Sequence, residues 1–349
     1  MRKEILLLIG DVAIAALVIL GMLGYDNVLP QKHVAAKPMA GAAVVRQEAG
    51  PSQQAGSVST ETDELIQTKV KLDGTDWHEK FADRFTDAVV VTDTSYTSPN
   101  VSIRWTHGQY DSAIFDTTFG GEQKTYGTKI SYFLADIYVG DITCIQTGFA
   151  DDMYGVGYAE KLSDMSERMQ SVVAVNGDSY NNNRHQDNGT IIRNGTIYRA
   201  QNTDMETCVL NWDGSMDIYQ PGELDTQQLI EKGAYQSWIF GPSLLDENGK
   251  AKSTFLTWDY IRKSHPRTAI GYYEPGHYCL LVVDGRQSNS RGMFLDEMAA
   301  LFESLGCKAA YNLDGGRCSF MTKANQVINH PYKPEHEVPD GIFVGEGWH

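Results

Sequence analysis

The stretch Cys279-Leu280-Leu281-Val282-Val283-Asp284-Gly285-Arg286 is an unbroken apolar run that stops on an acidic turn. The pattern returns at Ala309-Ala310-Tyr311-Asn312-Leu313-Asp314-Gly315-Gly316. An earlier version stands at Val172-Val173-Ala174-Val175-Asn176-Gly177-Asp178. Such apolar runs closed by Asp and Gly read as strands ending in turns. Between the first two stretches, Leu295, Met298, Ala299, Phe302 and Leu305 recur at helical spacing, and Gly306 is placed to end the helix. Strand, helix, strand at this length predicts a βαβ unit, whose crossover makes the two strands parallel. Asp284 and Asp314 then share one rim of a sheet, the rim where open α/β sheets hold ligands. With Arg286 and Arg291 nearby, two carboxylates there point to acid/base work on an anionic substrate. The fold class expected is α/β, or mixed α+β: mixed β-sheets with packed helices and a C-terminal βαβ unit.

Working outward, Ile5 to Gly24 is almost wholly apolar, with Asp11 its one charge and Arg2 and Lys3 before it. Twenty such residues match a bilayer core, and the flanking charges favour an N-terminus inside. The expected organisation is an uncleaved membrane anchor over residues 1–30, a flexible Ala/Gly/Gln/Ser/Pro stalk over 31–60, and an extracytoplasmic domain over 61–349. The domain would begin with short helices and pass into β-structure from Ala88. The 349 residues carry 29 basic and 45 acidic side chains, a formal charge of −16. No basic stripe is visible, so nucleic acid is not the expected partner. The five cysteines (Cys144, Cys208, Cys279, Cys307, Cys318) form no CxxC pair, and the nine histidines show no metal-ligand spacing. A phosphate-binding Walker loop and a nucleophile elbow are both absent.

A second set of segments narrows the reading. His265-Pro266-Arg267-Thr268-Ala269-Ile270-Gly271, Val282-Val283-Asp284-Gly285-Arg286, Ser290-Arg291-Gly292-Met293 and Asn312-Leu313-Asp314-Gly315-Gly316 follow in that order. Taken with Asn176-Gly177-Asp178-Ser179-Tyr180, Ile191-Ile192-Arg193-Asn194-Gly195, Trp238-Ile239-Phe240-Gly241-Pro242 and the ending through Asp340-Gly341-Ile342, the set resembles the phosphodiester glycosidase family over about residues 130 to 349. Two positions depart from the family pattern. Arg317 stands where a small residue usually follows the double glycine, and Phe294 stands where a threonine-like cap usually opens the helix.

The resemblance implies hydrolysis of the bond between an anomeric carbon and a phosphate oxygen. Such a site needs a carboxylate to activate water or support the oxocarbenium-like state, and cations for the phosphate. Asp314, Asp284 and Asp178 are the carboxylate candidates. Arg267, Arg286 and Arg193 are the phosphate candidates, because a guanidinium fork matches phosphate oxygens. His265 is a candidate donor to the phosphate or leaving oxygen. Asn176 and Asn312 are expected to orient sugar hydroxyls or brace the turns, and Thr268, Gly315 and Gly316 complete the substrate-facing set. No cofactor is expected, with calcium at one of the acidic turns left open. The expected partner is a glycan or sugar phosphodiester. Two further functions stay open: a glycan-binding protein of the same fold, and a metal-dependent phosphodiesterase.

Overall fold

The computed structural model describes residues 37–38, 65–116, 127–181 and 187–347. Its main strands, in chain order, are β1 (Val101–Asp116), β2 (Gly127–Val139), β3 (Ile145–Phe149), β4 (Val173–Asn176), β5 (Thr190–Arg193), β6 (Thr196–Ala200), β7 (Thr207–Asn211), β8 (Ala234–Trp238), β9 (Arg267–Glu274), β10 (His277–Val283), β11 (Ala309–Asn312), β12 (Met321–Lys323) and β13 (Asp340–Val344). The helices used below are α1 (Leu162–Arg168), α2 (Thr226–Lys232) and α3 (Leu295–Leu305). A seven-stranded sheet runs β11-β9-β10-β2-β1 and then two short strands, Ser95–Thr97 and Val90–Val91. A five-stranded sheet orders Gln326–Val327, β12, β4, β13 and β3.

Both faces of the large sheet are covered. Tyr278, Leu280 and Val282 of β10 join a core with Val173, Val175, Ile342 and Val344 of the five-stranded sheet. Their alternates Cys279, Leu281 and Val283 pack under α3 against Leu295, Met298 and Phe302. Gly271 on the neighbouring strand marks how closely α3 lies: a Cβ there would stand 2.6 Å from Cys279 Sγ and 2.7 Å from the Phe302 ring. Burial on both faces turns an alternating pattern into a continuous apolar run, the signature usually left by parallel strands under helices. That signature underlies the α/β expectation, which the structure corrects. The fold is mostly β, and every pairing among the described strands is antiparallel.

The C-terminal unit shows the difference in detail. β10 and β11 each pair antiparallel with β9, which lies between them. They therefore run parallel to one another and α3 crosses over, but they are not neighbours. Inserting β9 leaves the two carboxyl ends on one edge while the sheet itself is antiparallel. Gly306 ends α3 in the left-handed region, at φ 82°. At the other end Phe294 offers no capping side chain. Glu297 Oε2 instead accepts the Phe294 N–H at 3.0 Å, and Arg291 holds that carboxylate through both terminal nitrogens.

α1 begins at Leu162 and ends at Arg168. Its Leu162 and Met165 pack with Ala174, Phe320 and Phe343 on the outer face of the five-stranded sheet. Among the described residues no helix is long and apolar enough to cross a membrane. The anchor expected over residues 1–30 and nearly all of the stalk over 31–60 lie outside the described residues.

Candidate active site

Three strand ends meet at the seam between the two large sheets. The Asp314 N–H donates to Gly177 O at 3.1 Å, and Asn176 Nδ2 donates to Asp314 O at 2.7 Å. Asn176 Oδ1 in turn accepts from Thr268 Oγ1 at 2.7 Å and from the Phe320 N–H at 3.2 Å. Asn312 Nδ2 donates to Gly241 O at 2.6 Å. Asn176, Thr268 and Asn312 are all buried. Each therefore braces one chain segment against another, and none presents a polar atom to solvent.

The three carboxylates have different surroundings. Asp178 is fully buried; its two oxygens accept the N–H groups of Ile239 and Phe240, each at 2.7 Å. Burial raises its pKa, opposed by the nearby Arg193 and reinforced by Asp340. Asp284 is buried as well. Its Oδ1 accepts from Asn329 Nδ2 at 3.1 Å and the His330 N–H at 2.9 Å, while Oδ2 lies 3.5 Å from Ser131 Oγ and from His330 Nδ1. Burial also raises Asp284. Asp314 alone of the three is partly exposed. Its Oδ1 accepts the Gly315 N–H at 2.9 Å. Desolvation lifts its pKa to about 6, against the opposing hydrogen bonds of Cys318 and Ser179.

The arginines divide in the same way. Arg193 is buried, with Nη2 on Asp340 Oδ2 at 2.6 Å and Nη1 on the Ile192 and Ser237 carbonyls. Arg267 is buried too, its Nε on Met293 O and its Nη2 on the carbonyls of Ile261 and Lys263. Burial lowers Arg267 to about 9. Arg286 is partly exposed and sits in the left-handed region at φ 61°, a conformation a non-glycine residue adopts only when its surroundings impose it. Its Nη1 donates to Tyr332 Oη at 2.6 Å. Its Nη2 lies 3.3 Å from His265 Nδ1, and a Cβ on Gly316 would stand 3.0 Å from the same nitrogen.

His265 is buried, with Nε2 2.8 Å from Tyr260 O. A carbonyl only accepts, so Nε2 carries the proton and Nδ1 accepts from Arg286. Burial, with Arg267 and Arg286 close by, lowers His265 to about 3, so the ring is neutral and acts as a strut for Arg286. Gly315 permits a close approach: a Cβ there would meet Pro266 O at 2.8 Å. The Gly316 N–H donates to that same carbonyl at 2.9 Å. Asp314 on one side of the double glycine and Arg286 on the other are both partly exposed.

Comparison with known proteins identifies the family. The family model described as phosphodiester glycosidase matches residues 169–345, half of the chain. The chain belongs to the phosphodiester glycosidase family. Among curated proteins it is 35% identical over 193 residues to the SPbeta prophage-derived uncharacterized protein YomE of Bacillus subtilis (strain 168). That match covers 54% of this chain and 29% of YomE, so the chain spans under a third of that relative. Among solved structures, the catalytic domain of zebrafish N-acetylglucosamine-1-phosphodiester alpha-N-acetylglucosaminidase, auto-inhibited by its pro-peptide, aligns with a TM-score of 0.50 at 18% identity. It covers 71% of this chain and 89% of the zebrafish chain, which establishes a shared fold.

The two departures from the family pattern lie in different surroundings. Arg317 is exposed on the short turn Gly316–Cys318, where it adds charge to the rim beside Arg286. Phe294 opens α3 without a capping hydrogen bond from its own side chain, and its N–H donates to Glu297 Oε2 at 3.0 Å. Two residues of the site were not singled out as such from sequence. Asp340 accepts the N–H groups of Asp178 and Ser179 and pairs with Arg193, but it opens a strand instead of ending one. Tyr332 lies in the irregular stretch before β13, where no pattern marks it. Among the described residues no group of three or more His, Cys, Asp or Glu side chains is arranged to hold a metal. Neither of two cavities elsewhere, of about 360 Å³ beside Phe294 and about 200 Å³ beside Trp77, is lined by Asp314 or Arg286.

Proposed function

We propose that this protein hydrolyses the bond between the anomeric carbon of a sugar and a phosphodiester oxygen. The observation that carries the reading is the pairing, across Gly315-Gly316, of the one partly exposed strand-end carboxylate with the one partly exposed arginine of the set. In this reading Asp314 takes a proton from water as the water attacks the anomeric carbon. The carbon–oxygen bond breaks, and its electrons leave with the phosphate. Arg286, held in place by His265 and Tyr332, offsets the charge gathering on the departing oxygens. A phosphate is already a good leaving group, so a strong acid at the leaving oxygen is unnecessary, consistent with a neutral His265 that faces Arg286. The products are a free reducing sugar and a phosphate monoester; the proton on Asp314 returns to solvent. Asp178 and Asp284, saturated by backbone and side-chain donors, hold the strand ends that shape the site.

The test supplies sugar 1-phosphodiesters to the full chain and measures release of reducing sugar. Asp314→Asn should lower kcat by about 10²- to 10⁴-fold, the range for a positioned acid/base group. Undiminished turnover in that variant would remove Asp314 from the mechanism. Release of sugar phosphate in place of free sugar would show that the phosphorus–oxygen bond is the one cut.

A further inference from the structure

A pair of sulfurs lies under α3, and the hydrolytic reading makes no use of it. Cys279 Sγ and Cys307 Sγ stand 3.9 Å apart, and both residues are buried. Cys279 is mid-strand in β10, opposite Gly271 of β9 on one side and Asp136 of β2 on the other. Cys307 follows Gly306, the left-handed residue that ends α3. Its N–H donates to Phe302 O at 3.1 Å, and the next N–H, of Lys308, donates to Tyr272 O at 2.8 Å. One sulfur is thereby fixed to the sheet and the other to the point where the helix returns to it. Gly271 makes the meeting possible, since a Cβ there would stand 2.6 Å from Cys279 Sγ. The remaining cysteines have other surroundings. Cys144 and Cys208 belong to the core on the opposite face of the sheet, and Cys318 to the Gly316–Cys318 turn.

We propose that Cys279 and Cys307 form a disulfide that staples α3 to β10 when the chain folds in the presence of a disulfide oxidant. A disulfide needs its sulfurs about 2.05 Å apart, so from 3.9 Å the remaining approach is about 1.9 Å, which turns of the two side chains and a small settling of the helix end supply. The step balances as an exchange. Cys307, at a helix end that opens more readily than a central strand, attacks one sulfur of the oxidant as its thiolate and releases the other half. Cys279 then attacks the Cys307 sulfur of the mixed disulfide and releases the second half. Two electrons pass to the oxidant, and the two protons lost by the cysteines end on its two thiols. Burial pushes the Cys279 thiol well above its ordinary range, so the closed fold disfavours the thiolate and the exchange belongs to folding, before α3 has docked. The two cysteines are 28 positions apart, and the segment between them carries Asp284, Arg286, Arg291 and the whole of α3. Closing that segment removes conformations from the unfolded chain, which is how the bridge stabilises the fold. The inference is independent of the hydrolytic reading.

The experiment refolds the full chain from denaturant in a buffer of oxidised and reduced glutathione. Free thiols are then blocked with N-ethylmaleimide in denaturant, and the peptides are mapped by mass spectrometry without reduction. The expected result is a cross-linked peptide pair joining Cys279 to Cys307, with no bridge at Cys144, Cys208 or Cys318. Absence of that pair, or a bridge that uses any other cysteine, overturns the proposal. The bridged protein should melt about 5 to 10 °C above the same protein treated with dithiothreitol. Cys307→Ala should melt at one temperature under both treatments, whatever that temperature is. A bridge that leaves the melting temperature of the parent unchanged, or a difference between treatments that persists in Cys307→Ala, overturns the staple. The peptide map and the paired melts need only the parent protein, so a variant that fails to fold leaves the test intact.

Discussion

Asp178 and Asp314 end two strands that touch through a single backbone hydrogen bond, from the Asp314 N–H to Gly177 O, yet their carboxylates stand in opposite conditions. Asp178 is enclosed: both oxygens accept backbone N–H groups, and behind it Asp340 joins it to Arg193 in a fully buried cluster. Asp314 is partly exposed beside a double glycine, with a partly exposed arginine beyond. A carboxylate saturated by backbone donors is a joint in the fold, because removing it strands those donors. One raised by desolvation but still reached by water is suited to proton transfer near neutrality. Identical Asp chemistry at a strand end therefore gives an enclosed joint or a partly exposed carboxylate according to what closes over it.

Separate readouts for activity and stability would break that contrast if it were wrong. The largest effect expected is on activity at the open end. Asp314→Asn should lower kcat by about 10²- to 10⁴-fold while leaving the denaturation midpoint close to that of the parent. The parent's kcat/KM should rise with pH through about 6, since the ionised carboxylate is the working form and burial has lifted it to that value. Stability has the opposite sign in this window. With its pKa raised in the fold, Asp314 binds more protons folded than unfolded between the ordinary carboxylate range and about 6. Its contribution therefore weakens as pH rises through that interval, and the asparagine variant should lose the slope. A kcat/KM profile flat from pH 4 to 8 would assign the chemistry to another group.

At the enclosed end the ranking reverses. Arg193→Met leaves Asp340 as a buried charge without its guanidinium, and the expected loss is about 3–5 kcal/mol in denaturant unfolding. Asp178→Asn is milder. An amide has one acceptor oxygen where two N–H groups need acceptors, so a loss of about 1–3 kcal/mol is expected. Should either variant keep the parent's stability while abolishing turnover, the enclosed cluster would have to be moved into the catalytic machinery.

Much of this contrast cannot be seen along the chain. The three acidic strand ends were legible because Asp-Gly after an apolar run is local turn chemistry, and α3 with its Gly306 terminus was legible from helical spacing. Which carboxylate would be enclosed was not. Asp178 is closed over by Ile239 and Phe240, and Asp340 by Arg193, all far away in sequence. The fold class was misread for a related reason. With α3 on one face and the five-stranded sheet on the other, β10 loses the period-two pattern that marks an antiparallel strand. β9, whose Arg267, Thr268 and Gly271 interrupt its apolar positions, gave no sign that it lies between β10 and β11. The resemblance carried Arg286 and His265 into the site as phosphate and proton groups. Their mutual hydrogen bond, which makes one the support of the other, is a tertiary fact.

Tyr332 offers the finest test of how the open end is built. Its hydroxyl accepts from Arg286 Nη1, while His265 accepts from Nη2, so the guanidinium is held from two sides. Tyr332→Phe keeps the ring, over which the Arg286 guanidinium carbon lies at 5.1 Å from the centroid, and removes only the acceptor. A single hydrogen bond to a partly exposed charge contributes about 1 kcal/mol, so turnover should fall about fivefold and not vanish. If Arg286 acts on the leaving phosphate, this loss should appear in kcat and shrink when the substrate carries a better leaving group, because less charge stabilisation is then required. A loss confined to KM and indifferent to the leaving group would instead make Arg286 a ground-state anchor. The contrast between the two strand ends would then rest on Asp314 alone.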